Sequence, residues 1–480
     1  MLRDIKYQLW LVCIIAGCLS VKAQEANLIL PEKDSASVTG SSMDCFIGKI
    51  TVVGNKKTKE NIILREIPFR PGETYPLNVL AEKFEDARRQ LMNTALFHSV
   101  VVAAESFESA TVHIIITVKE RWYLFPVPYL KPVDRNLNQW IIQQKARIDR
   151  VEYGGKLYYY NTTGRNDKLK FQFIDGYSRQ FSISYDRLYI DKKMKWGLKL
   201  GFAAGRHREF NYNTIDDKQA FFKDPDNYTS RFLNSYVNLT YRRAIRTTHS
   251  FGIGYSKTKL ADTIIVLNPN FYNNGTNTIR IPGVYYSMAH YNLDYNAYPT
   301  KGYAAELGFA KRGFNKDFDS WEFNAKGFGA WHLSPRTFLS TAIYGGIKLP
   351  FNQPFVNKRF LGYGDVFLHG YEYYVADGVA GGYLKLSLNR ELFDFKIRIP
   401  PIKKGKESTY IPFRFVGKVF GNTGYVHNPE PGNNTLSNRM LYSGGIGLDI
   451  ISFYDLVFKI EWSFNQLGEN GLFLHRKSIF

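Results

Sequence analysis

The fold class of this chain is decided by the stretch Leu456-Val457-Phe458-Lys459-Ile460-Glu461-Trp462-Ser463-Phe464. Its even-numbered residues are all large and apolar, whereas its odd-numbered residues include the charged Lys459 and Glu461. Successive side chains of a β-strand point to opposite faces, so this alternation gives one apolar face and one polar face. The stretch therefore predicts a strand that lies between two different media.

The same period of two recurs from about residue 150 to the end of the chain. It is found at residues 168–173, 181–186 and 384–389, and Gly, Asn and Asp separate the stretches. A wall that is aromatic on one side and polar on the other suits a sheet with lipid outside and water inside. Residues 150–480 therefore predict an antiparallel transmembrane β-barrel, with room for about 16 strands of roughly ten residues plus turns and loops.

Composition agrees with a membrane barrel. Of the 480 residues, 16% are aromatic, which fits two belts of Tyr, Trp and Phe at the membrane interfaces. The net charge is +20, but the basic residues are spread along strands and loops. Anionic lipid headgroups or a polar lumen are therefore better explanations of this charge than nucleic acid. After the N-terminus no apolar run reaches about 18 residues, which excludes membrane-spanning helices.

The N-terminus predicts export. In residues 1–23, Arg3 and Lys6 precede a short apolar stretch, and small residues ending at Ala23 suit a signal peptidase. A second interpretation makes Cys18 the lipidated first residue of a lipoprotein, because small residues also precede it. Cleavage after Ala23 leaves a single cysteine, so we expect neither an intramolecular disulfide nor a thiolate metal site.

A compact mixed domain is predicted between a flexible, Ser-rich leader at residues 24–44 and a Pro/Trp-rich joint at residues 121–149. Residues 45–120 predict the order β-α-α-β-β, with strands at 47–53, 98–104 and 111–119 and helices at 58–67 and 77–92. Thr58 is the expected N-cap of the first helix. The prolines of the joint predict either a semi-rigid hinge that positions the domain or an ordinary linker.

Motifs in a fixed order connect the domain with the barrel. They are Ile50-x-Val52-x-Gly54-Asn55, Leu64-Arg65-Glu66-Ile67, Pro71-Gly72-Glu73, Leu96-Phe97-x-x-Val100, Asp294 before Tyr298-Pro299-Thr300-Lys301-Gly302-Tyr303, Arg359-Phe360-Leu361-Gly362-Tyr363-Gly364 before Leu368-His369-Gly370-Tyr371, Ser443-Gly444-Gly445-Ile446-Gly447-Leu448 and the terminal Phe480. Over residues 46–480 this order resembles the BamA/TamA family of outer-membrane assembly and translocation proteins. The resemblance implies one periplasmic POTRA domain followed by a 16-stranded barrel.

The resemblance also implies a loop that folds back into the barrel lumen. Leu368, His369, Gly370 and Tyr371 match this loop, and His369 stands where the family carries an arginine. The family's acidic partner lies in a Phe-x-Asp-x-Gly stretch, where this chain has Asn422. We therefore expect a neutral hydrogen bond between His369 and Asn422 in place of an ion pair; the alternative is that the two never meet.

Two further candidate sites concern strand edges. Residues 98–104, including His98, Val100 and Val102, carry few charges and predict an exposed sheet edge that accepts an extended client as an added strand. The alternative is a strand that is covered or simply solvated.

The second edge is the barrel seam, because the family resemblance implies poor pairing between the first and last strands. Glycines weaken strands and permit bending. The residues of the predicted seam are Gly154, Gly155, Gly468, Gly471 and Phe480.

Motifs of enzymes are missing from the sequence. It contains no His-Glu-x-x-His, no Gly-x-Ser-x-Gly and no phosphate loop, so we expect no catalytic, cofactor or metal site. The sequence thus favours an outer-membrane barrel that helps to insert or translocate polypeptides, or lipid. Its expected partners are outer-membrane lipids, unfolded outer-membrane or secreted clients, and periplasmic or lipoprotein subunits that bind the POTRA domain. A passive porin-like channel and a barrel enzyme such as a lipase are the alternatives.

Overall fold

The computed structural model of the chain describes residues 44–132, 151–191, 193–272, 275–315, 317–400 and 409–475. The predicted signal, the leader up to residue 43 and Phe480 lie outside these residues. In the described part of the chain, no helix is both long and apolar enough to cross a bilayer.

The N-terminal domain consists of a four-stranded sheet and two helices. The elements in chain order are β1 Asp44–Val53, α1 Glu60–Glu66, β2 Thr74–Pro76, α2 Leu77–Asn93, β3 Phe97–Glu108 and β4 Thr111–Glu120. The sheet order is β2-β1-β4-β3, with β1 parallel to β4 and the other pairs antiparallel. The predicted order is confirmed with one addition, β2, which at three residues is too short to show a period in the sequence.

The core of this domain forms where α2 packs on the sheet. Leu80, Ala87 and Leu91 lie on the buried face of α2, as the helical spacing predicts. The expected N-cap at Thr58 is wrong, because Lys59 occupies that position without a side-chain cap. The Thr58 hydroxyl instead lies 3.1 Å from the Tyr123 hydroxyl, so the side chain is used for a tertiary contact.

The rest of the described chain is mostly strand. In chain order its elements are β5 Leu124–Pro132, β6 Val151–Tyr160, β7 Lys168–Gly176, β8 Arg179–Tyr189, β9 Trp196–His207, β10 Glu209–Ile215, β11 Lys218–Lys223, β12 Ser230–Ala244, β13 Thr247–Leu260, α3 Asp262–Leu267, β14 Thr278–Leu293, β15 Gly302–Asn315, β16 Phe318–Ser334, β17 Thr337–Leu349, α4 Phe355–Lys358, β18 Arg359–Leu361, β19 Ala376–Asp377, β20 Ala380–Ile399, β21 Thr409–His427, β22 Met440–Ser452, a 3-10 turn Phe453–Asp455, β23 Leu456–Asn465 and β24 Asn470–His475.

Within the described residues, 16 of these strands form one antiparallel sheet in chain order from β5 to β24. Two small pairs, β10–β11 and β18–β19, lie in loops and stand apart from it. On the side of the N-terminal domain, the first strand of this sheet contacts the turn before β23, because Phe125 of β5 packs edge-on against Tyr454 with ring centroids 5.4 Å apart. The predicted barrel of about 16 strands is confirmed.

One boundary differs from the expectation. Leu124–Pro132 lies in the predicted joint, yet it pairs with β6 over nine residues and is the first barrel strand. The barrel therefore begins before residue 150, and Gly154 and Gly155 lie in the second strand rather than the first. The prolines that predicted a joint are compatible with β5 because an edge strand needs backbone donors on one side only.

Within each alternating stretch, the apolar and the polar side chains lie on opposite faces of the sheet. In β23, Phe458, Trp462 and Phe464 are about half exposed, whereas Glu461 and Ser463 are completely buried inside the barrel. Ile253 in β13 is 62% exposed on the same outer surface. A continuous apolar wall of this extent suits contact with lipid, and the polar set lines the lumen.

The loops at the end of the barrel opposite the N-terminal domain are tied together. Asp217, at the tip of the β10–β11 hairpin, accepts hydrogen bonds from the Thr435 backbone N–H at 2.9 and 3.0 Å and from the Leu436 N–H at 2.9 Å. The Tyr363 hydroxyl, between β18 and β19, also lies 3.1 Å from the Thr214 hydroxyl of β10. Three long loops therefore share contacts over this end of the lumen.

Candidate functional site

The loop that carries the Leu-His-Gly-Tyr motif lies on the inner wall of the barrel. It belongs to the connection between β17 and β20, and Leu368 and Tyr371 are almost fully buried. The Tyr371 hydroxyl donates to the Tyr442 carbonyl of β22 at 3.1 Å, and the Asn465 amide of β23 donates to the Gly370 carbonyl at 2.8 Å. The loop is thus bound to β22 and β23 near the end of the sheet.

Gly370 is required by the geometry of this contact. Its φ of +89° lies in a region that residues with a Cβ rarely adopt. A Cβ at this position would lie 3.1 Å from the Phe464 carbonyl oxygen and 3.2 Å from Cβ of Ser443. The glycine therefore permits the loop to approach the strands closely.

His369 binds a different partner from the one predicted. Its Nδ1 is hydrogen-bonded to Glu461 Oε2 of β23, whereas the Asn422 amide of β21 donates to the Ser443 hydroxyl at 3.1 Å. His369 and Asn422 line the same cavity of about 130 Å³, but their hydrogen bonds in the described structure go to these other groups. The expected His369–Asn422 bond is wrong, because a buried carboxylate within reach is a stronger acceptor for an imidazole than an amide.

Glu461 is also the centre of a buried ion network. Lys418 Nζ of β21 lies 2.5 Å from Glu461 Oε1 and 2.7 Å from Asp449 Oδ1 of β22. The Tyr298 hydroxyl, from the turn between β14 and β15, donates to Asp449 Oδ2 at 2.9 Å. Removing one partner of such a buried network costs about 3–5 kcal/mol, because it leaves an uncompensated charge. The network therefore holds the last strands of the barrel in one arrangement.

The last described strand joins the same group. His475 Nε2 of β24 lies 3.4 Å from Glu461 Oε2 and 3.2 Å from Glu372 Oε1 of the lumen loop. The Gly370 backbone N–H donates to the other oxygen of Glu372 at 2.8 Å. The loop, β23 and β24 thus meet at one cluster of histidines and carboxylates.

The N-terminal domain is held to the barrel by ion pairs at separate positions around its mouth. Arg121 binds Asp455, in the turn between β22 and β23, with Nη1–Oδ2 at 2.6 Å and Nη2–Oδ1 at 3.1 Å. Arg242 of β12 binds Glu66 of α1 at 2.5 and 2.6 Å. Burial alone would raise the pKa of Glu66, but its hydrogen bonds and charge pairing with Arg242, together with Arg65, hold that pKa below its usual value. The domain is therefore positioned by contacts with barrel turns as well as by the connecting chain.

A cavity of about 640 Å³ lies between the N-terminal domain and the barrel mouth. Gln90 and Asn93 of α2 contribute to one side of it, together with Glu66. Most charged residues that line it are basic: Arg187, Lys195, Lys199, Arg242 and Arg246. The entrance to the lumen from this side is therefore positively charged.

The predicted edge strand is the outermost strand of its sheet. β3 pairs with β4 alone among the described strands, and Val100 is buried in the domain core while Val102 packs partly against it. The ring of His98 lies edge-on against Tyr454 with centroids 4.9 Å apart, so a barrel turn covers the start of the strand. Val101, in the middle of the strand, is 57% exposed. The part of the β3 edge that is open to an added strand is therefore the middle of β3.

The two edges of the barrel sheet are β5 and β24, and no described strand pairs with the outer side of either. In an antiparallel strand, the backbone N–H and C=O groups of one residue point toward one edge of the strand, and those of the next residue point toward the other edge. Since β5 pairs with β6 along its whole length and proline has no N–H, Pro126, Pro128 and Pro132 fit positions that face away from β6. Three of the five even-numbered residues of β5 thus offer no donor to the seam.

The predicted seam glycines lie near this edge but not all in it. Gly154 and Gly155 belong to β6, Gly468 lies in the turn between β23 and β24, and Gly471 lies in β24. The edge strand β5 is marked by prolines instead.

Comparison with known proteins decides the architecture. A family model described as POTRA, surface antigen variable number repeat, matches residues 46–121. The chain therefore combines a POTRA domain with a sheet of 16 strands among its described residues. Over 91% of the chain its fold is similar to that of CdiB from Escherichia coli, with a TM-score of 0.51, 12% identity and 75% of that chain covered.

Two further solved structures are similar to the chain. BamA from Haemophilus ducreyi lacking POTRA domains 1–3 aligns with 91% of this chain and 85% of its own, at a TM-score of 0.48 and 16% identity. CdiB from Acinetobacter baumannii aligns with 91% of this chain and 73% of its own, at a TM-score of 0.48 and 12% identity. No curated protein matches the chain by sequence.

Several residues of the site were not identified as such from the sequence. Glu461 and Lys459 were recognised only as polar members of an alternating strand, and Lys418, Asp449 and His475 were not singled out. An inward-facing carboxylate in a late strand is the signal that would have suggested Glu461 as the partner of His369. The POTRA–barrel ion pairs carry no comparable signal, because their residues are ordinary surface types until the fold brings them together.

Proposed function

We propose that this POTRA-plus-barrel protein resides in the outer membrane and assists the insertion or translocation of other polypeptides. The observation that carries the proposal is the combination of two incomplete sheet edges in one molecule. The POTRA edge strand β3 is exposed near Val101, and the barrel edge β5 has prolines where seam donors would be. At β3 an extended polypeptide can add as a strand, and the missing donors of β5 leave the barrel seam weakly paired.

The two surfaces support one orientation within this proposal. The apolar outer wall contacts the lipids of the outer membrane, and the POTRA domain lies in the periplasm, beside the basic cavity at the barrel mouth. An extended client segment adds to β3 through backbone hydrogen bonds and reaches the seam next to it. The client's burial of apolar surface in lipid supplies the free energy, so neither catalysis nor a cofactor is needed for this step.

A passive pore fits the structure less well. The lumen loop around His369 and the shared contacts of Asp217 occupy space that a diffusion channel would leave open. A pore also gives no reason for fixing a POTRA domain by the paired contacts of Arg121 and Arg242. Accessory periplasmic or lipoprotein subunits have a surface available on this domain, since its middle edge faces solvent.

The test is a census of outer-membrane proteins in cells depleted of the protein. We expect a defined subset to fall in abundance while their unfolded forms accumulate in the periplasm, and the wild-type chain should reverse both changes. A chain lacking residues 46–120, which leaves the barrel strands in place, should not reverse them. An unchanged census would contradict the proposal; a change in lipid composition alone would identify lipid as the cargo, and a loss of solute uptake alone would identify a passive channel.

A further inference from the structure

The cluster at the end of the barrel sheet brings together side chains that metal ions prefer. Donor atoms of His369, Glu461 and His475 all lie within 4.8 Å of one another. Glu372 adds a fourth donor, because its Oε1 lies 3.2 Å from His475 Nε2. These residues come from three segments of the chain: the lumen loop, β23 and β24.

Two of the donor spacings, both from His475, match a tetrahedral metal site. With zinc–nitrogen and zinc–oxygen bonds of about 2.0–2.1 Å, tetrahedral donors lie roughly 3.3 Å apart. His475 Nε2 lies 3.4 Å from Glu461 Oε2 and 3.2 Å from Glu372 Oε1. His369 Nδ1 contacts the same oxygen of Glu461 and needs only a small outward shift to reach this spacing.

The donors are oriented by further contacts, as in known metal sites. The Gly370 N–H holds one oxygen of Glu372 at 2.8 Å, and Lys418 holds the outer oxygen of Glu461 at 2.5 Å. The rings of Phe367 and Phe420 each lie 5.2 Å from the His369 ring, centroid to centroid. The cluster therefore combines fixed donors with an apolar wall that limits access of water.

We propose that His369, His475, Glu461 and Glu372 bind one divalent transition-metal ion, with Zn²⁺ as the best fit. Two imidazoles with two carboxylates favour Zn²⁺ over Mg²⁺ and Ca²⁺, which require oxygen ligands. The competing occupant is a proton shared between His369 and Glu461. Lys385 and Lys459 line the same cavity, so their positive charge disfavours the metal and sets its affinity.

A metal ion at this position would cross-link the edge strand β24 to the lumen loop and to β23. It would therefore restrain the last strand of the barrel beside the seam. Any effect of that restraint on client passage rests on the proposed function, whereas metal binding itself does not.

The experiment uses the full chain, purified in detergent without a histidine tag and stripped with EDTA. Addition of Co²⁺ should produce the visible absorption of a tetrahedral site at one ion per chain, and Zn²⁺ should displace it. His475→Gln and His369→Gln should each weaken binding at least tenfold. The matched control is His427→Gln, at a barrel histidine of β21 outside the cluster, and it should bind like the wild type.

Folding of each variant is checked by the temperature-dependent mobility of the barrel on semi-native gels. Zn²⁺ should raise the unfolding temperature of the wild type and of His427→Gln, but not of His475→Gln. The proposal is overturned if the wild type binds no Co²⁺ in tetrahedral form. It is also overturned if folded His475→Gln binds Co²⁺ as tightly as the wild type, since the ion would then lie elsewhere.

Discussion

Arg242 of the barrel and Glu66 of the POTRA domain form two parallel hydrogen bonds, with Nη1–Oε1 at 2.5 Å and Nη2–Oε2 at 2.6 Å. The Glu66 side chain is only 3% exposed, so the pair is shielded from water where the two parts meet. Arg65 binds the same carboxylate and also donates to the Met194 carbonyl, between β8 and β9, at 3.0 Å. Glu66 and the neighbouring Arg65 therefore connect the POTRA domain with β12 and with the connection between β8 and β9.

Glu66→Gln should loosen the POTRA domain from the barrel. The change leaves Arg242 without its charged partner, and breaking a buried pair in this way costs about 3 kcal/mol. Hydrogen exchange should accelerate in α1 and around Met194, relative to the wild type. Glu85→Gln is the matched control, because Glu85 pairs with Arg88 on the surface of α2, where an ion pair is worth about 0–1 kcal/mol. Equal exchange in the two variants would contradict the assignment.

Docking of the POTRA domain should also depend on pH. The pKa of Glu66 is lower in the docked protein than in an unfolded chain, where it is about 4.3. A lowered pKa stabilises the docked state fully above the unfolded value, and the stabilisation is lost as the pH falls through the lowered value. Energy transfer between dyes on the POTRA domain and the barrel should therefore stay constant from neutral pH to about pH 5.

Below about pH 4.3 the transfer should fall in the wild type. Glu66→Gln should lack this transition, since it has no carboxylate to protonate. A transition of the same size in both proteins would assign it to carboxylates other than Glu66.

Double-mutant cycles should show that His369 is coupled to Glu461, which it contacts, and not to Asn422, which lines the same cavity. In EDTA, His369→Ala and Glu461→Gln should show a coupling of about 0.5–3 kcal/mol in the free energy of unfolding, because the two side chains are bonded. His369→Ala and Asn422→Ala should be additive to within about 0.5 kcal/mol. Urea unfolding from lipid vesicles measures both cycles. Coupling to Asn422 and not to Glu461 would reverse the assignment.

Replacing the seam prolines should close the barrel edge more firmly. Pro126→Val with Pro128→Val adds two backbone donors on the side of β5 that faces away from β6. At about 0.5–1.5 kcal/mol per hydrogen bond, the pair should raise the free energy of unfolding by about 1–3 kcal/mol. It should also restore the depleted outer-membrane proteins less well than the wild type.

The control for this pair is Pro282→Val in β14, which is paired on both sides for most of its length. This control should neither raise the free energy of unfolding nor weaken the restoration of the depleted outer-membrane proteins. If the seam variant is no more stable than the wild type, the missing donors do not limit pairing at the seam.

The sequence predicted the barrel because alternation in β23 is a local property that lipid and water impose on each strand separately. It did not reveal β5, since its prolines hide the alternation and are tolerated only because the strand is an edge. The lumen loop could be placed from its motif, but its partner could not. His369 and Glu461 are 92 positions apart, and Arg121 and Asp455 are 334 apart, so only the folded sheet brings them together.

The most direct test of the central claim is to ask what touches the edge strand β24 in living cells. A photo-crosslinking residue at Leu474, which is 77% exposed on β24, is compared with one at Leu307, which is 48% exposed on the interior strand β15. We expect the residue at position 474 to capture segments of other outer-membrane or secreted polypeptides, and the residue at position 307 to capture lipid alone. Capture of lipid alone at both positions would contradict passage of clients at the seam.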